Sequence, residues 1–202
     1  MIGLINYGIG NLGSLKRTFD ILDIDNKIID NPSKISSCTK LVLPGVGNFG
    51  KAINILNEDG WSEKIVEHVE ENKPLLGICL GMQLLMTVGN EDGKRNGLGL
   101  ISGEAVSFEN VSKDIRIPHV GWNSLIDIDK KSRLLSGILD NTDFYFVHSF
   151  FVKPNENATI AYTEYGIKFC SALESNNVYG TQFHPEKSSK AGRKILENFS
   201  NL

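Results

Sequence analysis

The chain has 202 residues, of which 41% are hydrophobic and 22% are charged. This is the composition of an ordinary globular protein, and it excludes collagen, whole-chain disorder and whole-chain coiled coil. At roughly 150 residues per domain, the length predicts a single domain over residues 1–202. The 21 basic residues are outnumbered by 24 acidic ones, for a net charge of −3. No basic surplus exists to neutralise a phosphate backbone, so we expect no nucleic-acid partner.

The cysteine and histidine spacings predict neither disulfides nor a metal site. The three cysteines form no CxxC pair and the four histidines form no HxxxH pair. The N-terminal segment lacks a basic n-region, and the most apolar stretch, residues 74–88, is broken by two glycines and a glutamine. We therefore expect a cytoplasmic protein without membrane contact, metal or cofactor.

The first half of the chain alternates short apolar runs with amphipathic segments. Strands are predicted at MIGLIN, KIID, KLVLP and PLLGIC, and helices over residues 14–22, 52–56 and 61–69. Strands and helices in alternation predict a parallel sheet with helices on both faces.

The second half changes to β-branched and aromatic runs between turn signals. These runs are GEAVSF, IRIPHV, NSLIDI, DFYFVHSFFV, ATIAYT, IKFCSALE and VYGTQF. We expect them to be antiparallel strands added to the edge of the parallel core, followed by a last helix over residues 189–199. The predicted fold class is α/β, with a mostly parallel central sheet and added antiparallel strands.

Two glycine motifs match the GxGxxG pattern of dinucleotide sites. The first, residues 8–13, follows a strand and opens a helix, and Asp30 stands about 20 residues further on, where a ribose ligand is expected. The second, residues 45–50, matches the same pattern after another strand, and a chain this short has little room for two such cofactors. Tight strand-to-loop turns need glycine whatever the ligand, so we expect turn glycines rather than a nucleotide site at these motifs.

The strongest local signal is GxCxG in the run PLLGICLGMQ, an apolar strand that leads into a helix. In a nucleophile elbow, flanking glycines let the chain turn sharply enough to expose the nucleophile at the top of the sheet. The N–H groups at the start of the following helix stabilise a thiolate, so Cys79 is the candidate nucleophile. The alternative, a buried structural role, is expected for Cys38 and Cys170, which lack flanking glycines.

A thiolate nucleophile requires a base, and four histidines compete for that role. His68 lies among glutamates in a helical pattern and is expected on a solvated face. His119 and His148 are expected either in the core or on a pocket wall. His184 closes a predicted strand, and Glu186, two residues on across a rigid proline, can hold the imidazole in one tautomer. The pattern predicts a Cys-His-Glu triad.

An oxyanion requires hydrogen-bond donors from two places. The Leu80 N–H, directly after the nucleophile, is one candidate. Gly45 and Gly47, at the end of the KLVL strand, can present further backbone N–H groups without side-chain obstruction.

Taken together, LPGVGNFG, GICLGMQ and FHPEKS resemble the class I glutamine amidotransferases, in the same order along the chain. More narrowly, INYGIGNLGS, GLGLISG, IPHVGWN and FYFVHSF resemble the glutaminase subunit of imidazole glycerol phosphate synthase. The resemblance implies the flavodoxin-like three-layer fold of the class. It implies the hydrolysis of glutamine to glutamate and ammonia, with Cys79 as nucleophile, His184 as general acid and base, Glu186 as its orienter and Gln83 as a substrate ligand.

The resemblance also implies a partner. In that family the glutaminase forms a heterodimer with a (β/α)8-barrel cyclase, which uses the ammonia to form imidazole glycerol phosphate and AICAR in histidine biosynthesis. Asn11, Trp122, Tyr145 and Lys187 match positions near that interface, so the first GxGxxG segment is expected to be a docking loop.

The chain departs from the family pattern in three places: MTVGNEDGKRNG follows the nucleophile motif, LISG replaces LIPG, and Phe150 and Phe151 stand where tyrosine is common. These departures bear on the identity of the partner, and three other functions stay open. A paralogous glutaminase could supply ammonia to a sugar-amidating enzyme of surface polysaccharide biosynthesis. A non-catalytic regulatory subunit could use the same scaffold, and a hydrolase or cysteine peptidase is the third alternative.

Overall fold

A computed structural model describes residues 1–110, 115–155 and 157–202. The strands in these ranges are β1 Ile2–Ile5, β2 Asn26–Ile29, β3 Lys40–Gly45, β4 Leu75–Cys79, β5 Met86–Gly89, β6 Arg95–Asn96, β7 Ile101–Ser107, β8 His119–Ser124, β9 Asp143–His148, β10 Phe150–Pro154, β11 Thr159–Tyr165, β12 Ile167–Ser175 and β13 Val178–Thr181. The α-helices are α1 Leu12–Ile21, α2 Phe49–Glu58, α3 Trp61–Glu70, α4 Leu80–Leu84 and α5 Ser189–Ser200. Short 3-10 helices span Pro32–Ser37, Phe108–Asn110 and Pro185–Lys187.

One large sheet organises the chain, in the order β2-β1-β3-β4-β13-β12-β10-β7-β5-β6, with β11 paired to β12. The strands from β2 to β13 in this order are parallel, and β12, β10 and β7 continue the sheet in antiparallel pairing. The carboxyl ends of β3 and β4 lie side by side, since Gly45 pairs with Cys79. This is the edge at which open α/β sheets bind ligands.

The sheet is covered on both faces, which gives three layers. One apolar cluster packs α1 and α5 against the sheet through Phe19 and Phe199, and a second packs α2 and α3 through Phe49 and Trp61. Within β4, Leu76 and Ile78 belong to the first cluster while Leu75 belongs to the second. A strand buried on both faces reads as a continuous apolar run, as β4 does. The single domain over residues 1–202 stays a prediction.

Asparagine caps define where two helices begin. The side chain of Asn11 accepts a hydrogen bond from the Ser14 N–H at the start of α1, and that of Asn48 accepts one from the Lys51 N–H at the start of α2. Both caps follow glycine turns, and Gly10, which directly precedes the Asn11 cap, has a φ of +150°. The sequence prediction began the two helices two or three residues too late because periodicity, rather than capping, set the boundary.

Several strand predictions were wrong in detail. The VYGTQF strand is not an antiparallel addition, because β13 pairs in parallel with β4 inside the core. The strand in IRIPHV begins only at His119, and NSLIDI is strand only as far as Ser124. The hairpin β8-β9 forms a separate two-stranded sheet instead of extending the large one. Strands β5 and β6, which lie in a turn-rich segment, were not predicted.

Within the described ranges, no helix combines the length and apolar character needed to cross a bilayer.

Candidate active site

The nucleophile elbow is built by close packing at two glycine positions. Cys79 ends β4 and precedes α4, with φ 56° and ψ −111°, a backbone conformation that non-glycine residues rarely adopt. A Cβ on Gly81 would lie 1.9 Å from the Leu43 carbonyl oxygen, and one on Gly77 would lie 2.7 Å from the Gly81 backbone. Side chains at either glycine would separate α4 from the sheet, so the GxCxG pattern is a steric requirement of this turn.

His184 and Glu186 form a buried pair next to the elbow. His184 Nδ1 lies 2.8 Å from Glu186 Oε1, and their side chains are only 3% and 4% exposed. The backbone holds the imidazole in place as well, because the His184 N–H donates to the Tyr145 carbonyl at 2.9 Å and the Ser188 hydroxyl donates to the His184 carbonyl at 2.6 Å. Since a carboxylate only accepts, Nδ1 carries a proton and Nε2 is the nitrogen left to exchange one.

The ionisation of His184 is set by its neighbours. Burial opposes the charged imidazolium, but the Cys79 sulfur and the Glu186 carboxylate outweigh it and raise the pKa of His184 to about 9. Nε2 has no hydrogen-bond partner of ordinary geometry among the described residues. Catalytic contacts of this kind are often long before substrate binds. The three side chains predicted from sequence are therefore brought together around one sulfur atom.

A cavity of about 450 Å³ opens beside the sulfur, within the range of small-molecule sites. The lining comes from the end of β3, the elbow, the segment after β5 and the end of β9, and includes Gly47, Cys79, Leu80, Gln83, Glu91, His148 and Phe150. Glu91 is the one carboxylate among the lining residues that the structure describes. The cavity therefore favours a ligand that carries a positive group some distance from the sulfur.

Gln83 lines this cavity with its amide already oriented. Its Nε2 donates to the Phe150 carbonyl at 2.9 Å and to Gln182 Oε1 at 3.1 Å. Gln182 in turn lies with Nε2 3.7 Å from Cys79 Sγ. Because both protons of the Gln83 amide are committed, its oxygen is the atom available to accept a hydrogen bond from a ligand.

Sequence reasoning missed Gln182 and Glu91. Gln182 is fully buried. It stands two residues before His184, and in an extended chain that spacing puts both side chains on the same side, which was the only sequence signal for Gln182. Glu91 Oε2 accepts the Phe49 N–H at 2.6 Å, at the start of α2. This long-range contact cannot be read from the local sequence, in which Asp92 stands beside Glu91 as an equivalent candidate.

The predicted oxyanion segment lies where the sequence suggested. Gly47 has a φ of +91° and lines the large cavity next to Leu80. Gly45 is buried, and a Cβ there would lie 2.7 Å from the Tyr7 hydroxyl and 2.9 Å from Leu80 Cβ. Glycine at position 45 is thus required by close approach, whereas glycine at 47 is required by its backbone angle.

Three of the four predicted docking residues cluster at the Tyr145 ring, and the fourth, Asn11, lies beside His184. Trp122 is 54% exposed, and it packs edge-on against Tyr145, its cross-strand partner in the β8-β9 hairpin, with ring centroids 6.1 Å apart. The Lys187 ammonium lies 5.6 Å from the centre of the Tyr145 ring. Asn11 lines a small cavity together with His184, so the predicted docking residues come close to the site itself.

The prediction for His68 was wrong. The side chain is 2% exposed rather than solvated, and Nε2 lies 3.3 Å from the Pro74 carbonyl oxygen. Burial lowers the pKa of His68 to about 4. The neighbouring glutamates that suggested a solvated face are themselves exposed or half-buried, whereas His68 is not. Cys38 and Cys170 are both buried, as predicted, and burial raises the pKa of Cys170 to about 12.

The chain matches the family model of the class I glutamine amidotransferases over residues 4–201. It is 46% identical to the imidazole glycerol phosphate synthase subunit HisH of Chlorobium luteolum, covering 99% of each chain. It is 47% identical to the HisH 1 subunit of Campylobacter jejuni, covering 100% of each chain. A crystal structure of a glutamine amidotransferase, 17% identical, aligns with a TM-score of 0.76 over 100% of this chain and 99% of that one, which confirms the predicted fold class. The chain therefore belongs to the class I glutamine amidotransferase family and is a relative of the HisH subunits within it.

Proposed function

We propose that this chain is the glutaminase subunit of an imidazole glycerol phosphate synthase. It hydrolyses glutamine to glutamate and ammonia, and the ammonia passes to a cyclase partner that forms imidazole glycerol phosphate and AICAR in histidine biosynthesis. The observation that carries the chemistry is the buried His184–Glu186 pair next to Cys79, and Cys79 itself lines a cavity of about 450 Å³. The full-length identity to HisH subunits supports the pathway. A cytoplasmic location follows from that pathway.

The reaction begins at the Cys79 sulfur. The thiolate attacks the carboxamide carbon of glutamine, and the carbonyl oxygen becomes an oxyanion that the N–H groups of Gly47 and Leu80 stabilise. His184, protonated because its pKa is about 9, gives the Nε2 proton to the departing nitrogen, and the C–N bond breaks to release ammonia. A glutamyl thioester remains on Cys79.

Water completes the reaction. Water attacks the thioester carbon while His184, now neutral, takes a proton from it. The C–S bond then breaks to give glutamate and the free thiolate. Glu186 holds the imidazole in the tautomer that exposes Nε2 throughout. The new carboxylic acid gives up its proton, so the overall balance is one glutamine and one water in, and one glutamate, one ammonia and one proton out.

The cavity fits glutamine in its charge as well as its size. The Glu91 carboxylate complements the α-ammonium group, and the Gln83 amide oxygen accepts a hydrogen bond from an N–H of the substrate. A peptidase would need a groove that extends past the reacting amide in both directions. A single acidic group in a compact cavity favours the free amino acid.

The docking surface, which we define as Asn11, Trp122, Tyr145 and Lys187, supports a partner on the His184 side of the site. Val120 and Trp122 are exposed apolar side chains on the outer face of the β8-β9 hairpin. A second cavity of about 10 Å³ lies beside His184 and Asn11, which is about the space of one water-sized molecule. Ammonia is released as the thioester forms, and this second cavity offers it a space in the direction of the docking surface. We place the (β/α)8-barrel cyclase there, in a heterodimer.

Glutamate release from glutamine, measured with and without the cyclase and its ribonucleotide substrate, tests this function. We expect strong stimulation by cyclase and substrate together. Cys79→Ala should abolish glutamine-dependent turnover while ammonia-dependent turnover by the complex persists, and Cys38→Ala, at another buried cysteine, should leave both intact. Folded protein with a reactive Cys79 but no stimulation would point to a sugar-amidating partner. An unreactive Cys79 would indicate a regulatory subunit instead.

A further inference from the structure

Two histidines that the proposed mechanism does not use share a hydrogen bond inside the molecule. His119 begins β8 and His148 ends β9, and they face each other as a cross-strand pair. His119 Nδ1 lies 3.0 Å from His148 Nε2, and both rings are buried. The His119 ring is stacked between Phe146 and Tyr165, with ring centroids 4.9 and 4.0 Å away. Such an apolar environment favours neutral imidazoles.

One end of this pair fixes the proton of His148. Its Nδ1 lies 2.8 Å from the Phe150 carbonyl oxygen. A carbonyl oxygen can only accept, so Nδ1 carries the proton. In a neutral ring, Nε2 is then an acceptor, and the nitrogen that faces it, Nδ1 of His119, must be the donor.

The other end gives the same answer independently. The Asn123 side-chain oxygen accepts the Ser124 N–H at 2.8 Å, and its Nδ2 donates to the Glu164 carbonyl at 3.0 Å, which fixes the orientation of the amide. The same Nδ2 faces Nε2 of His119 at 3.3 Å. His119 Nε2 must therefore be an acceptor, which again leaves its proton on Nδ1. Hydrogen bonds run in one direction, from Asn123 through both rings to the Phe150 carbonyl.

The Phe150 carbonyl is also where this row of hydrogen bonds reaches the glutamine cavity. It accepts the Gln83 amide at 2.9 Å as well as the His148 ring. Gln83 continues to Gln182, and Gln182 to the Cys79 sulfur. A carbonyl held from behind by His148 presents a fixed acceptor to Gln83, and Gln83 is then fixed relative to the nucleophile.

We propose that His119 and His148 are positioning residues for glutamine: a neutral relay, with both protons on Nδ1, that holds the Phe150 carbonyl and through it the substrate-facing amide of Gln83. This inference rests on the proposed glutaminase activity. It assigns the two histidines no proton transfer and no contact with the reacting amide.

Kinetics on the purified chain and on its complex test the positioning role. His148→Leu removes the donor to the Phe150 carbonyl, whereas His148→Asn keeps an N–H near the position of Nδ1. Loss of one neutral hydrogen bond predicts a rise in KM for glutamine of roughly 3- to 10-fold in His148→Leu, with a smaller rise in His148→Asn. His68→Leu, at a buried neutral histidine on α3, should leave KM unchanged. Equal KM values in the folded leucine, asparagine and wild-type proteins would overturn the proposal.

Nitrogen NMR of the imidazole rings in the wild-type chain gives a second test that needs no variant to fold. We expect both rings to be neutral at pH 7, with the proton on Nδ1 and a bare Nε2. A proton on Nε2 of either ring would overturn the relay. This measurement does not depend on turnover. Absence of glutaminase activity would refute the proposed function, whereas the NMR result alone would decide whether the relay exists.

Discussion

Glu186→Gln isolates the charge that controls His184. The glutamine side chain keeps an oxygen that can accept the Nδ1–H of His184, so the ring stays oriented while the negative charge is lost. In the wild type, the two atoms are 2.8 Å apart and both side chains are less than 5% exposed. Solvent screens such a pair little, so the charge should matter nearly in full.

The size of the effect follows from that geometry. A buried hydrogen bond to a charged group contributes about 1.5–3 kcal/mol, and about 1.4 kcal/mol is a factor of ten in a protonation equilibrium. The carboxylate favours the imidazolium, so its removal lowers the pKa of His184 from about 9. We expect the protonated form to become roughly 10- to 100-fold less favourable relative to the neutral ring.

The pH dependence of kcat/KM for glutamate release measures this shift. The basic limb reports loss of the proton that His184 gives to ammonia, so it should lie near pH 9 in the wild type and about one to two pH units lower in the variant. Glu197→Gln, at an exposed carboxylate on α5, is the control and should leave the limb in place. A basic limb that stays at the wild-type pH while kcat falls would refute the electrostatic reasoning and leave Glu186 a purely geometric role.

Three further predictions follow from burial and close packing. Glu91→Gln keeps an acceptor for the start of α2 but removes the one carboxylate described in the cavity lining, so KM for glutamine should rise about 10- to 100-fold with kcat nearly unchanged; a change confined to kcat would remove Glu91 from substrate binding. The pKa values of His68, His119 and His148 are lowered to about 4, 4 and 3, mainly by burial, so the stability they support is complete above pH 6.5 and lost as the pH falls towards 4. Urea titrations near pH 5 should show the unfolding free energy falling by about 4 kcal/mol per pH unit from these three groups, and a flat response would contradict their neutral burial. Gly81→Ala places a Cβ 1.9 Å from a carbonyl oxygen of β3 and should cost at least about 3 kcal/mol of unfolding free energy, measured by the same titration.

The catalytic candidates could be predicted because their signals are local. The glycines around Cys79 are demanded by backbone contacts within two neighbouring strands, and Glu186 follows His184 at a spacing that one proline fixes. Helical periodicity, apolar strand runs and turn chemistry act over a few residues, and they predicted most of the parallel core for the same reason.

The features that were missed depend on contacts between distant segments. His68 was assigned to a solvated face because its neighbours are glutamates, yet it is buried against the Pro74 carbonyl, which lies beyond the end of its own helix. Gln182 and Gln83 meet across 99 residues of sequence. The parallel pairing of β13 with β4 joins the two halves of the chain. No periodicity within a window of 10 or 20 residues reports such pairings, because long-range packing overrides local preference.

The β8-β9 hairpin connects the docking surface to both halves of the site. On its outer face it carries Trp122 and Tyr145, and on its inner face it carries the His119–His148 pair that holds the glutamine side of the cavity. The Tyr145 backbone also accepts the His184 N–H at 2.9 Å, on the other side of the sulfur. A partner that displaces this hairpin would move the acid-base residue and the substrate amide together. Coupling through one packed element of this kind requires two discrete arrangements of that element, and among the described residues β8 and β9 form a ladder only with each other and not with strands of the large sheet.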